Sequence, residues 1–145
     1  MSPTTLFYIL ISILGISFII DKILETLNAK HFNDEIPTEL ADVYDATEYR
    51  KSQDYKKANE QFSKITSTFS FVLTLVFFFA DGFKYIDCFA RNFTDNSILV
   101  ALIFFGIIML GSEFLTTPFS YYQTFVIEEK FGFNKSTKKI FWLDK

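Results

Sequence analysis

Acid–base or metal chemistry in this chain would have to be built from very few residues: the adjacent carboxylates Glu128 and Glu129, the neighbouring Lys130, and the single histidine, His31. A catalytic zinc takes about three protein ligands, and the helical form of such a site places two histidines at i and i+4 with a glutamate beside them to activate water. The Glu128–Glu129 pair precedes no histidine, and His31 has no partner at that spacing. Neither maps to zinc ligation or general-base work, so no catalytic and no metal-binding residue is assigned. A lone cysteine, Cys88, cannot close an internal disulfide and reads as inert. The 14 basic and 17 acidic residues interleave to a net charge of -3. No basic stripe is left to neutralise phosphates, which excludes nucleic acid as a partner.

The elements that carry these residues are written in the apolar pattern. Half of the chain is hydrophobic and it holds 20 phenylalanines, a composition that points to the lipid bilayer as the main partner. Three intervals carry no charge: Met1 to Ile20, Ile65 to Ala80, and Asn96 to Ser112. Each is a spanning candidate. The second and third fall short of the roughly 20 residues that a hydrocarbon core of about 30 Å requires, so Lys64, Asp81, Lys84 and Glu113 must snorkel or face protein. The first interval lacks the basic n-region and small-residue cleavage site of a signal peptide and reads as a retained helix. The expected fold is an all-α integral membrane bundle of three spanning helices with a charged helical cytoplasmic loop.

Orientation follows from the cations. Lys22, Lys30, Arg50, Lys51, Lys56, Lys57 and Lys64 crowd the first connection, Lys84 and Arg91 alone occupy the second, and Lys130, Lys135, Lys138, Lys139 and Lys145 lie after the third span. The positive-inside rule then places the N-terminus outside and the C-terminus in the cytoplasm, of a bacterial inner membrane or the endoplasmic reticulum. The segment Asp81 to Asp95 becomes a short outer loop, and Asn92-Phe93-Thr94 within it matches a glycosylation acceptor.

Pro37 suits the first turn of a helix, and Thr47 or Asp45 can cap a second start, the latter with Glu48 three residues on completing a capping box. From there Tyr55, Ala58, Phe62, Ile65, Phe69, Val72, Val76 and Phe79 recur at spacings of three and four with no Gly or Pro between Ala46 and Ala80. One helix is expected to run from polar chain into the second span, its polar part packed on another element. Gly15, Gly106 and Gly111 are candidates for close helix contact, although the last two are not at GxxxG spacing. Linkers and repeats are absent, which suggests one compact unit. Glu113 and Pro118 end the third apolar stretch, and Tyr121 to Phe131 follows as an amphipathic, acid-bearing segment.

Behind that stretch stands the run PFSYYQTFVIEEKFGFNKST, Pro118 to Thr137. Its core, Thr124, Phe125, Val126, Ile127, Glu128, Glu129, Lys130, Gly132, Phe133, Asn134, Lys135 and Thr137, resembles the TFVIEEKxGFNKxT signature of the membrane-integral zinc metalloproteases that process prenylated CAAX proteins. The lead EYRKSQDYKKANEQFSKI, Glu48 to Ile65, and the order of spans resemble the same family, in its N-terminal domain only. The resemblance implies that residues 1–145 form the N-terminal membrane domain of a longer protease, contributing part of a membrane chamber wall. Tyr121 to Thr137 would then lie near a catalytic half beyond Lys145, which would bring the zinc, and the substrate would be a prenylated or membrane-bound protein. No cofactor is expected in this chain, which alone should be inactive. The alternative is a non-enzymatic membrane scaffold or subunit without a protease half. In the signature, Gly132 reads as a turn or helix-end residue, Asn134 with Thr137 as caps of the next element, and Glu113, Glu128 and Glu129 as partners of Lys130, Lys135 or basic residues of the missing half.

Overall fold

The computed structural model describes residues 2–30 and 45–145; His31 and the helix start expected at Pro37 lie outside them. Helix α1, Pro3–Ala29, begins where the Ser2 hydroxyl accepts the Thr5 amide at 3.1 Å and Pro3, with no N–H to satisfy, takes the first turn. Helix α2, Ala46–Phe79, begins at Asp45, whose carboxylate accepts the amides of Thr47 at 2.6 Å and Glu48 at 3.3 Å. Hydrogen bonding from Thr47 and then from the Glu48 amide holds the Asp45 carboxyl below its ordinary pKa. The helix continues unbroken for 34 residues, about 50 Å at 1.5 Å per residue. The expected polar-to-apolar helix is therefore present.

The residues cluster into two compact units instead of the single one suggested by the absence of linkers: Met1–Phe71 with Lys130–Gly132, and Val72–Glu129 with Phe133–Lys145. In the first, α1 and α2 meet along a seam that is not the apolar stripe. Phe18 stacks on Phe71 with ring centroids 4.0 Å apart. One turn away the Lys22 ammonium donates to the Ser67 hydroxyl at 2.6 Å, to the Lys64 carbonyl at 3.4 Å and to Glu25 at 2.8 Å. Ile65, Phe69, Val72, Val76 and Phe79 stay exposed. In lipid an apolar face gains little by leaving its surroundings, so hydrogen bonds and close packing choose the seam. Nearer the start of α2 the stripe does meet protein, as Tyr55 sets its ring edge-on to Phe131 at 5.4 Å.

In the second unit the connection after α2 is helical, a correction to the loop expected there. Asp81 adopts a left-handed φ of 56° and turns the chain into α3, Gly82–Arg91. Phe83 lies between Phe77 and Phe78, at 4.8 and 5.0 Å, and the i,i+4 pair Asp87–Arg91 closes at 2.8 Å on the polar side. The sequence hides this helix because Phe83, Ile86 and Ala90 read as scattered apolar residues until α2 and α4 supply a surface for them. Close approach belongs to Gly82, where a Cβ would stand 2.6 Å from the Phe77 ring; Gly15, Gly106 and Gly111 face open space.

Helix α4, Ser97–Tyr122, is capped by Asn96, which accepts the Ile98 amide at 2.9 Å. Pro118 sits inside it, and helical structure continues through a π-helical segment, Gln123–Glu128, and the short α5, Glu129–Phe131. Glu113 and Pro118 therefore do not stop the helix. The Thr116, Thr117 and Ser120 hydroxyls bond the carbonyls of Ser112, Glu113 and Thr116, which supports a proline-bearing turn as it does in membrane helices generally. Three stretches, Pro3–Ala29, Ala46–Phe79 and Ser97–Phe131, are long and apolar enough to cross a bilayer. Among the described residues only Ala90, Val100, Ile127, Phe131 and Phe141 are buried apolar side chains. The protein is an all-helical integral membrane protein whose apolar surface faces outward.

Candidate functional site

The signature run folds as a helix stop joined to a helix start. After the π-helical turn, Gly132 takes a φ of 76°, a left-handed conformation that glycine adopts without a Cβ penalty. The Glu128 carbonyl then accepts two amides, from Phe133 at 2.9 Å and Asn134 at 3.3 Å. Asn134 bridges both sides of the stop. Its amide group donates to Glu129 Oε2 at 2.6 Å, while its carbonyl oxygen accepts the Ser136 amide at 2.7 Å. Thr137 finally accepts the Ile140 amide at 3.3 Å and opens α6, Lys138–Leu143.

Packing sorts the other signature residues by face. Ile127 and Phe131 are buried, Thr124, Phe125 and Glu128 are half-buried, and Val126, Lys130, Phe133 and Lys135 are exposed. Phe125 and Tyr121 meet α6 through Phe141, at 5.5 and 5.6 Å between ring centres, with Trp142 next to it. Beside these rings lies an open groove of about 500 Å³, bordered by Tyr121, Phe125, Val126, Glu129, Asn134, Ser136 and Lys138. The sequence reading placed a cap for the next element at Thr137 but missed the aromatic contacts of α6; their signal was the apolar trio Ile140, Phe141 and Trp142.

The acidic residues find partners other than those expected. Glu129 bonds Asn134, and Glu113 pairs with Lys145, so the pairings with Lys130 and Lys135 are replaced by contacts that tie the carboxylates to the joint and to the tail after α6. Among the described residues no group of three His, Cys, Asp or Glu side chains converges as a metal site would. The described residues do not fit a zinc ion. This arrangement can position a chain and present polar groups beside an aromatic wall, but it contains no nucleophile–base pair.

Comparison with known proteins places this geometry. Residues 25–145 match the family described as CAAX prenyl protease N-terminal, five membrane helices. The chain belongs to this family. It is 36% identical over 121 residues to the probable CAAX prenyl protease 1 of Schizosaccharomyces pombe, covering 74% of this chain and 26% of that protein. The CAAX prenyl protease 1 homolog of Dictyostelium discoideum is 31% identical over 116 residues, covering 77% and 27%. In structure the chain is similar to Ste24p of S. mikatae, known from a crystal structure, with a TM-score of 0.86, 30% identity, and coverage of 99% of this chain and 35% of that one. The chain spans about a quarter of the length of the curated relatives it matches, in their N-terminal membrane domain.

Proposed function

We propose that residues 1–145 act as the N-terminal membrane domain of a zinc metalloendopeptidase that processes prenylated CAAX proteins. Its spanning helices form part of the wall of a membrane chamber, and Tyr121 to Thr137 lies beside the catalytic half. The N-terminus faces outward and the segment after α4 faces the cytoplasm. The observation that carries this reading is the folded signature: its glycine stop, asparagine bridge and threonine cap are built on the residues shared with the family, and they present Glu129, Asn134, Ser136 and Lys138 along one open groove.

In this role the chain lines the chamber and presents polar groups at the open groove beside the signature. Zinc, which generates the attacking hydroxide in such enzymes, would be held by residues outside residues 1–145. The test is a proteolysis assay with a farnesylated CAAX peptide. Residues 1–145 alone should show no cleavage and no stoichiometric zinc, and joined to a matching catalytic half they should support both. Changing Glu128 and Glu129 together to Gln in the joined protein should lower activity or assembly. Full activity of that double variant would reduce the segment to membrane-surface packing, and a joined protein without activity would favour a scaffold.

A further inference from the structure

Helix α3 carries a wider apolar arc than its own chain uses. At about 100° per residue, Tyr85, Phe89, Ile86, Ala90 and Phe83 cover a continuous arc of about 160°, and Lys84, Asp87 and Arg91 share the opposite side. One half of the apolar arc is occupied: Ala90 is fully buried, and Phe83 packs on Phe77 and Phe78. The other half is bare. Tyr85 is 70% exposed and Phe89 51%, and Phe93, in the turn that follows, is 66% exposed with its ring 5.0 Å from that of Phe89.

We infer that α3 is an interfacial helix whose row Tyr85, Phe89 and Phe93 lies in the headgroup–acyl boundary of the bilayer. Its place in the chain fixes the occupant. Two residues, Ala80 and Asp81, separate α3 from the end of α2, and the short segment Asn92–Asn96 leads into α4. Both neighbours are spanning stretches, so α3 is held at the membrane edge and its bare side continues their exposed apolar surface, with Phe79 before it and Ile98 after it. Aromatic rings with cations on the opposing side are the composition that partitions to that depth. Asp87 and Arg91 neutralise each other on the polar side, which leaves the aromatic row as the main source of membrane affinity.

The experiment uses the full-length protein in its native membrane, with p-benzoylphenylalanine at position 84, 85, 89, 91 or 93, one position at a time, followed by irradiation and mass analysis of the adducts. Positions 85, 89 and 93 should yield phospholipid adducts several-fold above positions 84 and 91. Cys88, exposed on the polar border, should keep its wild-type rate of alkylation by a soluble maleimide in each variant, showing that α3 is intact. Adducts of positions 85, 89 and 93 to another protein segment or a second copy would overturn the inference, as would equal lipid labelling around the helix or no lipid adduct at any of the three.

Discussion

Two glycines separate close packing from backbone strain as reasons for a residue. At Gly82 the obstacle is a neighbour: an added Cβ would fall 2.6–2.7 Å from ring atoms of Phe77, too near for the ring base to yield. Gly82→Ala should therefore destabilise the α2–α3 turn by about 1–3 kcal/mol. At Gly132 there is room, since the nearest atom is 3.7 Å away, but φ is 76°. Gly132→Ala should cost about 1–2 kcal/mol through the left-handed backbone, and Gly132→Asn less. Thermal unfolding in detergent measures both, and Gly106→Ala, which meets nothing within 4 Å, is the neutral comparison. Asp45 gives a pH-dependent counterpart. Its carboxyl is held below the ordinary range by hydrogen bonds from Thr47 and then from Glu48, so its capping contribution is complete above the unfolded aspartate pKa and is lost as pH falls through the lower folded value. The protection factors of the Thr47 and Glu48 amides should fall in that acid window, and Asp45→Ala should remove that fall.

At the scale of elements, what could be read from the sequence divides along the line between local and tertiary causes. The start of α2 at Asp45 and its run to Phe79 were legible because a cap, an uninterrupted period and the absence of Gly and Pro are local properties. The stop at Gly132 and the start at Thr137 were legible for the same reason. The seam between α1 and α2 was not. Hydrophobic periodicity marks a packing face only where water is the alternative, and within the membrane the Lys22–Ser67 bond and the Phe18–Phe71 stack determine the contact. Helix α3 was hidden because its face exists only against Phe77, Phe78 and Phe104. Pro118 misled because a spanning helix tolerates proline where Ser and Thr hydroxyls bond the carbonyls of the same turns, as Thr116 and Thr117 do here. Proline in α2 has no such help: Ala58→Pro should cost about 3 kcal/mol or more and separate Tyr55 from Phe131. Loss of a cross-link between cysteines placed at those two positions would report it, and an undiminished yield would show that this stretch tolerates a break.

For the whole molecule, the groove by the signature was not legible, because it depends on α6 folding back to set Phe141 beside Tyr121 and Phe125. The arrangement of spans was legible from charge-free intervals alone, and the sidedness that the lysines imply can be measured directly. In a Cys88→Ser background, cysteines at Ser2 and at Lys84 should label in vesicles sealed with the outer face outward, whereas one at Ser52 should label only after permeabilisation. Labelling of Ser52 without permeabilisation would reverse the proposed orientation.

The Lys22–Ser67 bond also imposes an order on biogenesis. Its two partners lie 45 residues apart, so at about 5–20 residues per second Lys22 is made roughly 2–9 s before the hydroxyl that completes its ammonium shell. From its own synthesis until that of Lys64, Glu25 is the only one of the three oxygen partners of Lys22 in the chain. The first helix is thus a waiting half-site. A pause in translation between Ala29 and Ser67 would lengthen its exposure to insertion machinery and membrane quality control, and faster elongation through that stretch would shorten it.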